Sequence, residues 1–285
     1  MATLRDIRRR ITSVRNTRQI TSAMKMVSAA KLNRAGNAVR AAQPYSDRLS
    51  MMVSALHASL AGEEHPLFTE RQGGKSLVIL FTTDRGLCGN FNMNLIRNVV
   101  QRMQEGGGLP GPELVIFGRK GNDFFKRRGF AIRDGRMFLH TSEYPHAIGE
   151  VMRDVLAGFS SGEIGRVFLA SNRFYSPIRQ EPVIRQLLPI PPLDSSEGMD
   201  EREMLFEPSR QEILDFLLPS FLRNQTLVAH LNTEAGEHGA RMLAMEGATK
   251  NAGEMINRLT LTYNRARQAA ITKELIEIVN AAQAL

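Results

Sequence analysis

Apolar residues recur at helical spacing near both ends of the chain. The first stripe, at steps of three and four residues, contains Leu4, Ile7, Ile11 and Val14. Such a stripe predicts an amphipathic helix that packs against a partner. Beyond it, Arg18 and Thr21 are polar, and apolar residues resume one position early at Met24 and Val27. We therefore expect the stripe to drift around a first helix that occupies residues 1–57.

A longer stripe with alternating steps of four and three residues runs along the last part of the chain. It contains Leu231, Ala235, His238, Met242, Met245, Thr249, Ala252, Ile256, Leu259, Tyr263, Ala266 and Ala270. A repeat of this kind, sustained over more than five heptads, is typical of a coiled coil. After Ala270 the stripe shifts by one position, which indicates that the tip meets a different surface. Neither helix can bury its thin stripe alone, so we expect residues 1–57 and 209–285 to pair.

Short apolar runs alternate with helical patterns between residues 75 and 195. The runs are SLVILFTT, ELVIFG, FAIRD, GRVFLAS and PVIRQLLPI. Alternation of strands and helices predicts a Rossmann-like, mostly parallel sheet covered on both faces. The acidic stretch 196–208 is interpreted as an exposed connection. The expected fold class is therefore α/β, with the sheet domain inserted between two long terminal helices that form an antiparallel coiled coil.

Positive charge is concentrated at the start of the chain. The formal net charge is +8, and residues 1–40 hold ten Lys or Arg against the single acid Asp6. This asymmetry predicts an anionic partner, which could be nucleic acid, an anionic membrane or an acidic protein surface. The single cysteine, Cys88, excludes an internal disulfide framework, and no apolar run approaches the ~20 residues that cross a bilayer.

The most distinctive motif is TTDRGLCGN, at residues 82–90, between a predicted strand and a predicted helix. It matches neither a P-loop nor a dinucleotide-binding fingerprint. We interpret it as a structural turn. Asp84 or Thr83 is expected to cap the turn that follows, and Gly86 and Gly89 are expected to take dihedral angles that other residues avoid. Cys88 is expected to be a buried thiol. The six histidines form no metal-binding motif, so we expect no cofactor, no metal site and no catalytic residue.

Three stretches resemble the gamma subunit of the rotary F-type ATP synthase. They are RDIRRRITSVRNTRQITSAMKMVSAAK, TTDRGLCGNFN and the C-terminal ARMLAMEGATKNAGEMINRLTLTYNRARQAAITKELIEIVNAAQAL. The resemblance implies a non-catalytic rotor that couples proton flow to ATP synthesis or hydrolysis. Its paired helices would form a shaft inside a ring of three alpha and three beta subunits. The sheet domain would be a foot beside the epsilon subunit and the membrane c-ring, at the cytoplasmic face of the bacterial plasma membrane.

The resemblance also implies roles for individual residues. The expected contacts to beta subunits are Met24, Lys25, Arg267, Gln268, Thr272 and Glu274. Glu207 is expected to contact the ring and epsilon, while Ile7, Ile11, Val14, Met242, Met245, Ile256 and Leu259 form the shaft seam. Two residues depart from the family pattern. Asn90 replaces a usual Gly and is expected to be tolerated through a left-handed conformation, and Pro219 predicts a kink or a late start of the last helix.

Two other function classes remain open from the residues alone. A basic coiled coil could bind nucleic acid, with an affinity that falls steeply with salt. A Rossmann-like enzyme is the third possibility, although its phosphate fingerprint is absent.

Overall fold

A computed structural model describes residues 3–59, 65–70, 73–105, 111–192 and 209–283. Within these residues the elements are α1 (Leu4–Ser59), β1 (Lys75–Phe81), α2 (Phe91–Gln104), β2 (Glu113–Phe117), α3 (Arg119–Lys126), β3 (Ile132–Arg136), α4 (Tyr144–Ser161), β4 (Ile164–Phe174), β5 (Gln180–Leu188) and α5 (Arg210–Gln283). The chain divides into two compact units. The sheet unit is Ala30–Ala240, and the helix-pair unit is Met1–Ala29 with Arg241–Leu285.

The sheet unit contains one five-stranded sheet in the order β3-β2-β1-β4-β5. The first four strands in this order pair in parallel, and β5 pairs antiparallel with β4. The predicted mostly parallel sheet is therefore confirmed. β3 begins at Ile132, two residues into the predicted run FAIRD, because Ile132 is the residue that pairs with Leu114 of β2.

Both faces of the sheet are buried, which explains why its strands are continuous apolar runs. Side chains along β1 alternate between two cores. One core contains Leu77, Ile79 and Phe81, together with residues of α1, α4 and α5. The other contains Val78 and Leu80, packed against α2 and α3. The sheet is thus the middle layer of three.

In the helix-pair unit, α1 and α5 run antiparallel. Thr249 Oγ1 donates to Thr21 Oγ1 at 2.8 Å, and Lys25 Nζ donates to Glu246 Oε1 at 2.6 Å. Residue numbers rise along α1 as they fall along α5, which defines the direction. The side chains that are buried in the seam include Ile7, Ile11, Thr21, Ser28, Met245, Ala252 and Ile256. Val14, Met242 and Leu259 are half-buried.

The expected drift of the α1 stripe is wrong. Burial recurs every seven residues, from the half-buried Val14 to the buried Thr21 and Ser28, whereas Val27 is 57% exposed. Seven-residue periodicity is maintained because hydroxyls can occupy seam positions when their own helix satisfies them. Thr21 Oγ1 donates to the carbonyl of Arg18 at 3.1 Å, and Ser28 Oγ donates to that of Met24 at 2.8 Å. A search for apolar residues alone therefore misses part of the seam, because polar residues occupy some of its buried positions.

Both helices continue through a proline. Pro44 lies inside α1, and the late helix start expected at Pro219 is wrong because α5 begins at Arg210. An internal proline costs about 3 kcal/mol through its missing N–H and the clash of its ring with the preceding turn. Leu218 and Leu222, on either side of Pro219, are fully buried in the core beneath the sheet. Their packing offsets the cost at Pro219.

Candidate functional site

The carboxyl ends of β1 and β4 mark the point where the strand order diverges, which is where doubly wound folds bind ligands. In the sheet unit, α5 lies across this position. Asn172 N, at the end of β4, donates to Thr233 Oγ1 at 3.4 Å, and Phe174 N donates to Asn232 Oδ1 at 3.2 Å. The backbone groups and the space that a nucleotide would use are therefore occupied by the chain's own helix.

Glycine permits this close approach of α5. A Cβ atom added at Gly236 would lie 2.8 Å from Cε2 of Phe91, the first residue of α2. At Gly239 it would lie 3.2 Å from the Cα atom of Pro177. By contrast, a Cβ at Gly247 would meet no atom within 4 Å. Two of the glycines that weaken α5 as an isolated helix are thus required by its packing.

The turn after β1 is held by side chains from several elements. Asn92 Oδ1 accepts from Thr83 N at 3.0 Å, and Asn92 Nδ2 donates to Thr83 Oγ1 at 2.8 Å. Asp84 Oδ1 accepts from Arg119 N at 2.8 Å, and its Oδ2 accepts from Phe138 N at 3.1 Å. Asp84 therefore caps α3, which lies far along the sequence, instead of the turn that follows it. Cys88 is buried, as expected.

The backbone of this turn differs from the prediction. Gly89 has a positive φ of 58°, but the other left-handed residue in the turn is Leu87, at 64°, and not Gly86. Asn90 has φ of −89°, so the left-handed conformation expected for it is wrong. Leu87 is 61% exposed. Leu87 therefore adopts a left-handed backbone without being one of the residue types, Gly, Asn or Asp, that usually mark this conformation in a sequence.

Phe138 is a second non-glycine residue with a left-handed backbone, at φ of 57°. Its side chain is 66% exposed, and the guanidinium of Arg119 lies 5.5 Å from the centre of its ring. Like Leu87, it follows the carboxyl end of a parallel strand, so both apolar side chains lie at the same edge of the sheet. Bulky residues adopt this conformation at a cost of about 1–3 kcal/mol, which the two hydrogen bonds to Asp84 help to offset.

A buried histidine of α5 lies at the same edge, near Phe81 at the end of β1. His230 stacks on Tyr144, with ring centroids 3.7 Å apart, and its Nε2 lies 3.9 Å from Glu234 Oε2, beyond hydrogen-bond distance. Burial lowers the pKa of His230 to about 4, so its imidazole is neutral at pH 7. Burial, followed by the charge of Glu237, raises the pKa of Glu234. These features describe a desolvated structural cluster without an ion pair.

The residues expected to contact beta subunits lie on the surface of the helix-pair unit. Arg267, Gln268, Thr272 and Glu274 are exposed, and Met24 is half-buried. Lys25 is also half-buried, and its ammonium is engaged by Glu246, which sequence reasoning did not single out. Glu207 lies outside the described residues.

The tip of α5 exposes an apolar surface. Ile271, Leu275, Ile276, Ile278 and Val279 are 48–64% exposed. The antiparallel spacing pairs the start of α1 at Leu4 with residues near Ala266, so the helix beyond Ala270 has no α1 residues opposite it. The final 13 residues of α5 span about 20 Å at 1.5 Å per residue. The predicted shift of the stripe coincides with this change of surroundings.

The part of the chain that the structure describes also bears on metal binding and on membrane insertion. No group of His, Cys, Asp and Glu side chains there could hold a metal ion. No described helix combines the length and apolar character needed to cross a membrane.

Comparison with known proteins gives consistent matches over the whole chain. The family model described as ATP synthase matches residues 3–285. The ATP synthase gamma chain of Pelotomaculum thermopropionicum is 44% identical over 285 residues, covering 100% of both chains. That of Anaeromyxobacter sp. is 46% identical over 290 residues, with the same coverage.

Solved structures share the fold at lower sequence identity. A chain of the Euglena gracilis mitochondrial ATP synthase, in a structure comprising OSCP, F1 and the c-ring, superposes with a TM-score of 0.66 at 21% identity. The match covers 99% of this chain and 94% of that chain. A chain from the central stalk and c-ring of the Tetrahymena thermophila mitochondrial ATP synthase gives a TM-score of 0.61 at 21% identity, covering 80% of this chain and 99% of that chain.

Proposed function

Because the chain belongs to the ATP synthase gamma-chain family, we propose that it is the central rotor subunit of a proton-translocating F-type ATP synthase. In this role it transmits torque between a membrane ring and the catalytic sites of three alpha and three beta subunits, and it performs no bond chemistry itself. The observation that carries the proposal is the antiparallel pairing of α1 and α5 along a seam whose buried positions repeat every seven residues.

The surface of the helix-pair unit suits a part that must turn against its neighbours. Residues 1–29 and 241–285 hold thirteen Lys and Arg against five Asp and Glu, a net charge of +8 that equals that of the whole chain. Exposed ion pairs are worth only about 0–1 kcal/mol, so contacts to acidic partner surfaces can form and break during rotation. An asymmetric shaft then holds each catalytic site in a different conformation and exchanges those conformations as it turns.

The filled crevice of the sheet supports a non-catalytic role. Residues 230–239 of α5 occupy the position where a nucleotide-binding enzyme of this topology holds its ligand. This packing weighs against the Rossmann-like enzyme, because binding there would require α5 to move out of a close-packed contact.

We assign the beta-subunit contacts to two levels of the helix pair. Met24 and Lys25 form the level on α1, while Arg267, Gln268, Thr272 and Glu274 form the level near the tip of α5. The apolar tip beyond Ala270 acts as a bearing in which many weak contacts share the load. Glu207 contacts the c-ring and the epsilon subunit. The protein is peripheral, at the cytoplasmic face of the bacterial plasma membrane, and does not bind nucleic acid.

Reconstitution tests this function directly. The purified chain is assembled with alpha and beta subunits, and a probe is attached at Ile178→Cys, a position that is 84% exposed. The native Cys88 is 3% exposed and competes little for the label. We expect ATP to drive rotation of the probe in the assembly, and we expect no ATP hydrolysis by the chain alone.

A pair of neighbouring substitutions serves as the matched test of the seam. Ile256→Asp places a charge in the seam, where the side chain is 9% exposed, whereas Asn257→Asp places the same charge on the exposed surface. We expect Ile256→Asp to abolish rotation and Asn257→Asp to preserve it. Rotation by both variants, hydrolysis by the isolated chain, or preferential binding to DNA at physiological salt would contradict the proposal.

A further inference from the structure

One ion pair joins the two helices of the helix-pair unit at the level assigned to beta-subunit contact. Lys25 Nζ donates to Glu246 Oε1 at 2.6 Å, with the side chains 40% and 54% exposed. We infer that Glu246 is a positioning residue that holds the Lys25 ammonium against α5. A partner that approaches this level then meets a neutral pair instead of a free cation.

The surrounding sequence holds no other charges, so this pair sets the net charge of the local surface. Lys25 is the only charged residue between Arg18 and Lys31 on α1. Glu246 is likewise the only charged residue between Arg241 and Lys250 on α5. Together they leave a neutral band, defined as residues 19–29 and 242–249, on a helix pair whose remaining surface is strongly cationic. Loss of either partner would give the band a full unit charge.

The antiparallel register of α1 and α5 brings the Lys25 and Glu246 side chains together. One turn away from Lys25, Thr249 Oγ1 donates to Thr21 Oγ1 at 2.8 Å. A further turn along, a Cβ atom at Gly253 would lie 4.0 Å from Arg18 Nε. These contacts share one antiparallel register with the ion pair, so the register places Glu246 opposite Lys25.

The exposed side chains of the band are otherwise uncharged. Ile20, Met26 and Val27 are 60%, 64% and 57% exposed, and Met24 is half-buried. Apolar and flexible side chains offer an acidic partner little electrostatic attraction. Glu246 therefore weakens the charged contact that the one ammonium in the band makes with each passing partner.

This inference rests on the proposed function, in which acidic surfaces of three beta subunits pass the band in turn. Removing the Glu246 carboxylate would leave the Lys25 ammonium unpaired. Each acidic surface would then attract it more strongly, and the shaft would pause longer at each beta subunit. An exposed ion pair contributes up to about 1 kcal/mol, which corresponds to at most about a fivefold longer dwell. The effect should weaken as salt screens the charges.

The experiment compares variants of the full chain assembled with alpha and beta subunits. The variants are Glu246→Gln, Lys25→Gln, the double variant with both glutamines, and the charge exchange Lys25→Glu with Glu246→Lys. Glu254→Gln is the matched control, because it removes an exposed carboxylate from the same helix outside the band. ATP-driven rotation is measured at about 0.01 M and 0.15 M salt, where the Debye length is about 30 Å and 8 Å.

We expect Glu246→Gln to slow rotation about two- to fivefold at low salt, with the difference shrinking at the higher salt. Glu254→Gln should rotate at the wild-type rate. The double glutamine variant and the charge exchange should each rotate faster at low salt than Glu246→Gln alone, because neither leaves an unpaired ammonium in the band. Melting temperatures of the isolated chains should agree closely, because an exposed pair contributes little to stability.

Three results would overturn the inference. The first is wild-type rotation by Glu246→Gln at low salt. The second is a slowing of the double glutamine variant as large as that of Glu246→Gln, which would show that the slowing does not come from an unpaired Lys25 ammonium. The third is a slowing by Glu246→Gln that neither salt nor the charge exchange relieves. A wild-type chain that fails to rotate would contradict the proposed function instead.

Discussion

The two units of this protein bury different kinds of side chain. The sheet unit holds Phe81, Phe117, Phe125 and Phe159 almost fully buried around a close-packed sheet. The helix-pair unit contains one aromatic residue, Tyr263, and its seam includes Thr21, Ser28 and Ala252. Large side chains bury more apolar area per residue, whereas small ones let two helices approach closely. The sheet unit is therefore built around large buried side chains, and the helix-pair unit around small ones.

Charge divides along the same boundary. The net charge of +8 lies entirely in the helix-pair unit, so the sheet unit is neutral overall. Inside the sheet unit, cations form local networks with acids. Arg133, for example, contacts Asp154, Glu163 and Glu113 within 3.3 Å. The comparison shows that the excess of positive charge lies in the part proposed to face acidic neighbours.

The largest expected effect comes from truncating one buried residue in each unit. Phe159→Ala in α4 should lower the free energy of unfolding of the sheet unit by about 3–5 kcal/mol, because the cavity lies in a closed core. Ile256→Ala, at a seam position bordered by solvent, should cost about 2 kcal/mol or less, since neighbouring side chains and water can fill the space. Urea unfolding followed by circular dichroism measures both. Equal losses would contradict the contrast.

The second test uses the neutral histidine of the sheet unit. The unfolded chain protonates His230 near its ordinary pKa of 6.5, while the folded protein does so only near 4. The unfolded state therefore binds more protons between these values, and stability falls as pH drops from about 6.5 to about 4, on the order of 2–3 kcal/mol in total.

His230→Phe keeps the ring against Tyr144 and removes the titration. The difference in unfolding free energy between wild type and this variant should therefore change with pH across the same window. Glu234, whose raised pKa acts in the opposite direction, is present in both proteins and cancels from the difference. A difference that stays constant from pH 7 to pH 4 would refute the assignment.

Replacing two glycines of α5 by alanine should change stability in opposite directions in the two units. Gly247→Ala, in open surroundings within the helix-pair unit, should stabilise the protein by about 0.5–1 kcal/mol through improved helix propensity. Gly236→Ala, in the sheet unit, must displace the buried ring of Phe91 and should destabilise it by about 1–2 kcal/mol. Thermal melting of the two variants gives the signs, and stabilisation by both would contradict the close approach of α5.

The smallest expected effect lies at the start of α1. Asp6 N donates to Thr3 Oγ1 at 3.2 Å, and Thr3 N donates to Asp6 Oδ2 at 3.1 Å, forming a reciprocal cap. Thr3→Ala should cost about 0.5–1 kcal/mol, confined to the first turns of the helix. Hydrogen exchange of the amides near Ile7 should accelerate up to about fivefold, while those of the sheet remain unchanged. Faster exchange throughout the chain would contradict a cap whose effect is local.

The sequence by itself determined the element types, the mostly parallel sheet and the family. These follow from local patterns: continuous apolar runs for buried strands, a heptad stripe for α5, and three motifs that resemble gamma chains, a resemblance confirmed by the family match. It also indicated that Cys88 is buried, because a small apolar turn residue commonly is.

Only the tertiary structure decided which polar groups meet. Asp84 bonds to Arg119 and Phe138, and Lys25 meets a carboxylate 221 positions away. The α1 seam continues through hydroxyls because the partner helix buries positions by geometry, whatever their hydropathy. Local patterns report the period of an element, but they carry no information on what a distant segment places against each face, and that placement sets backbone strain, charge pairing and the filling of the sheet crevice.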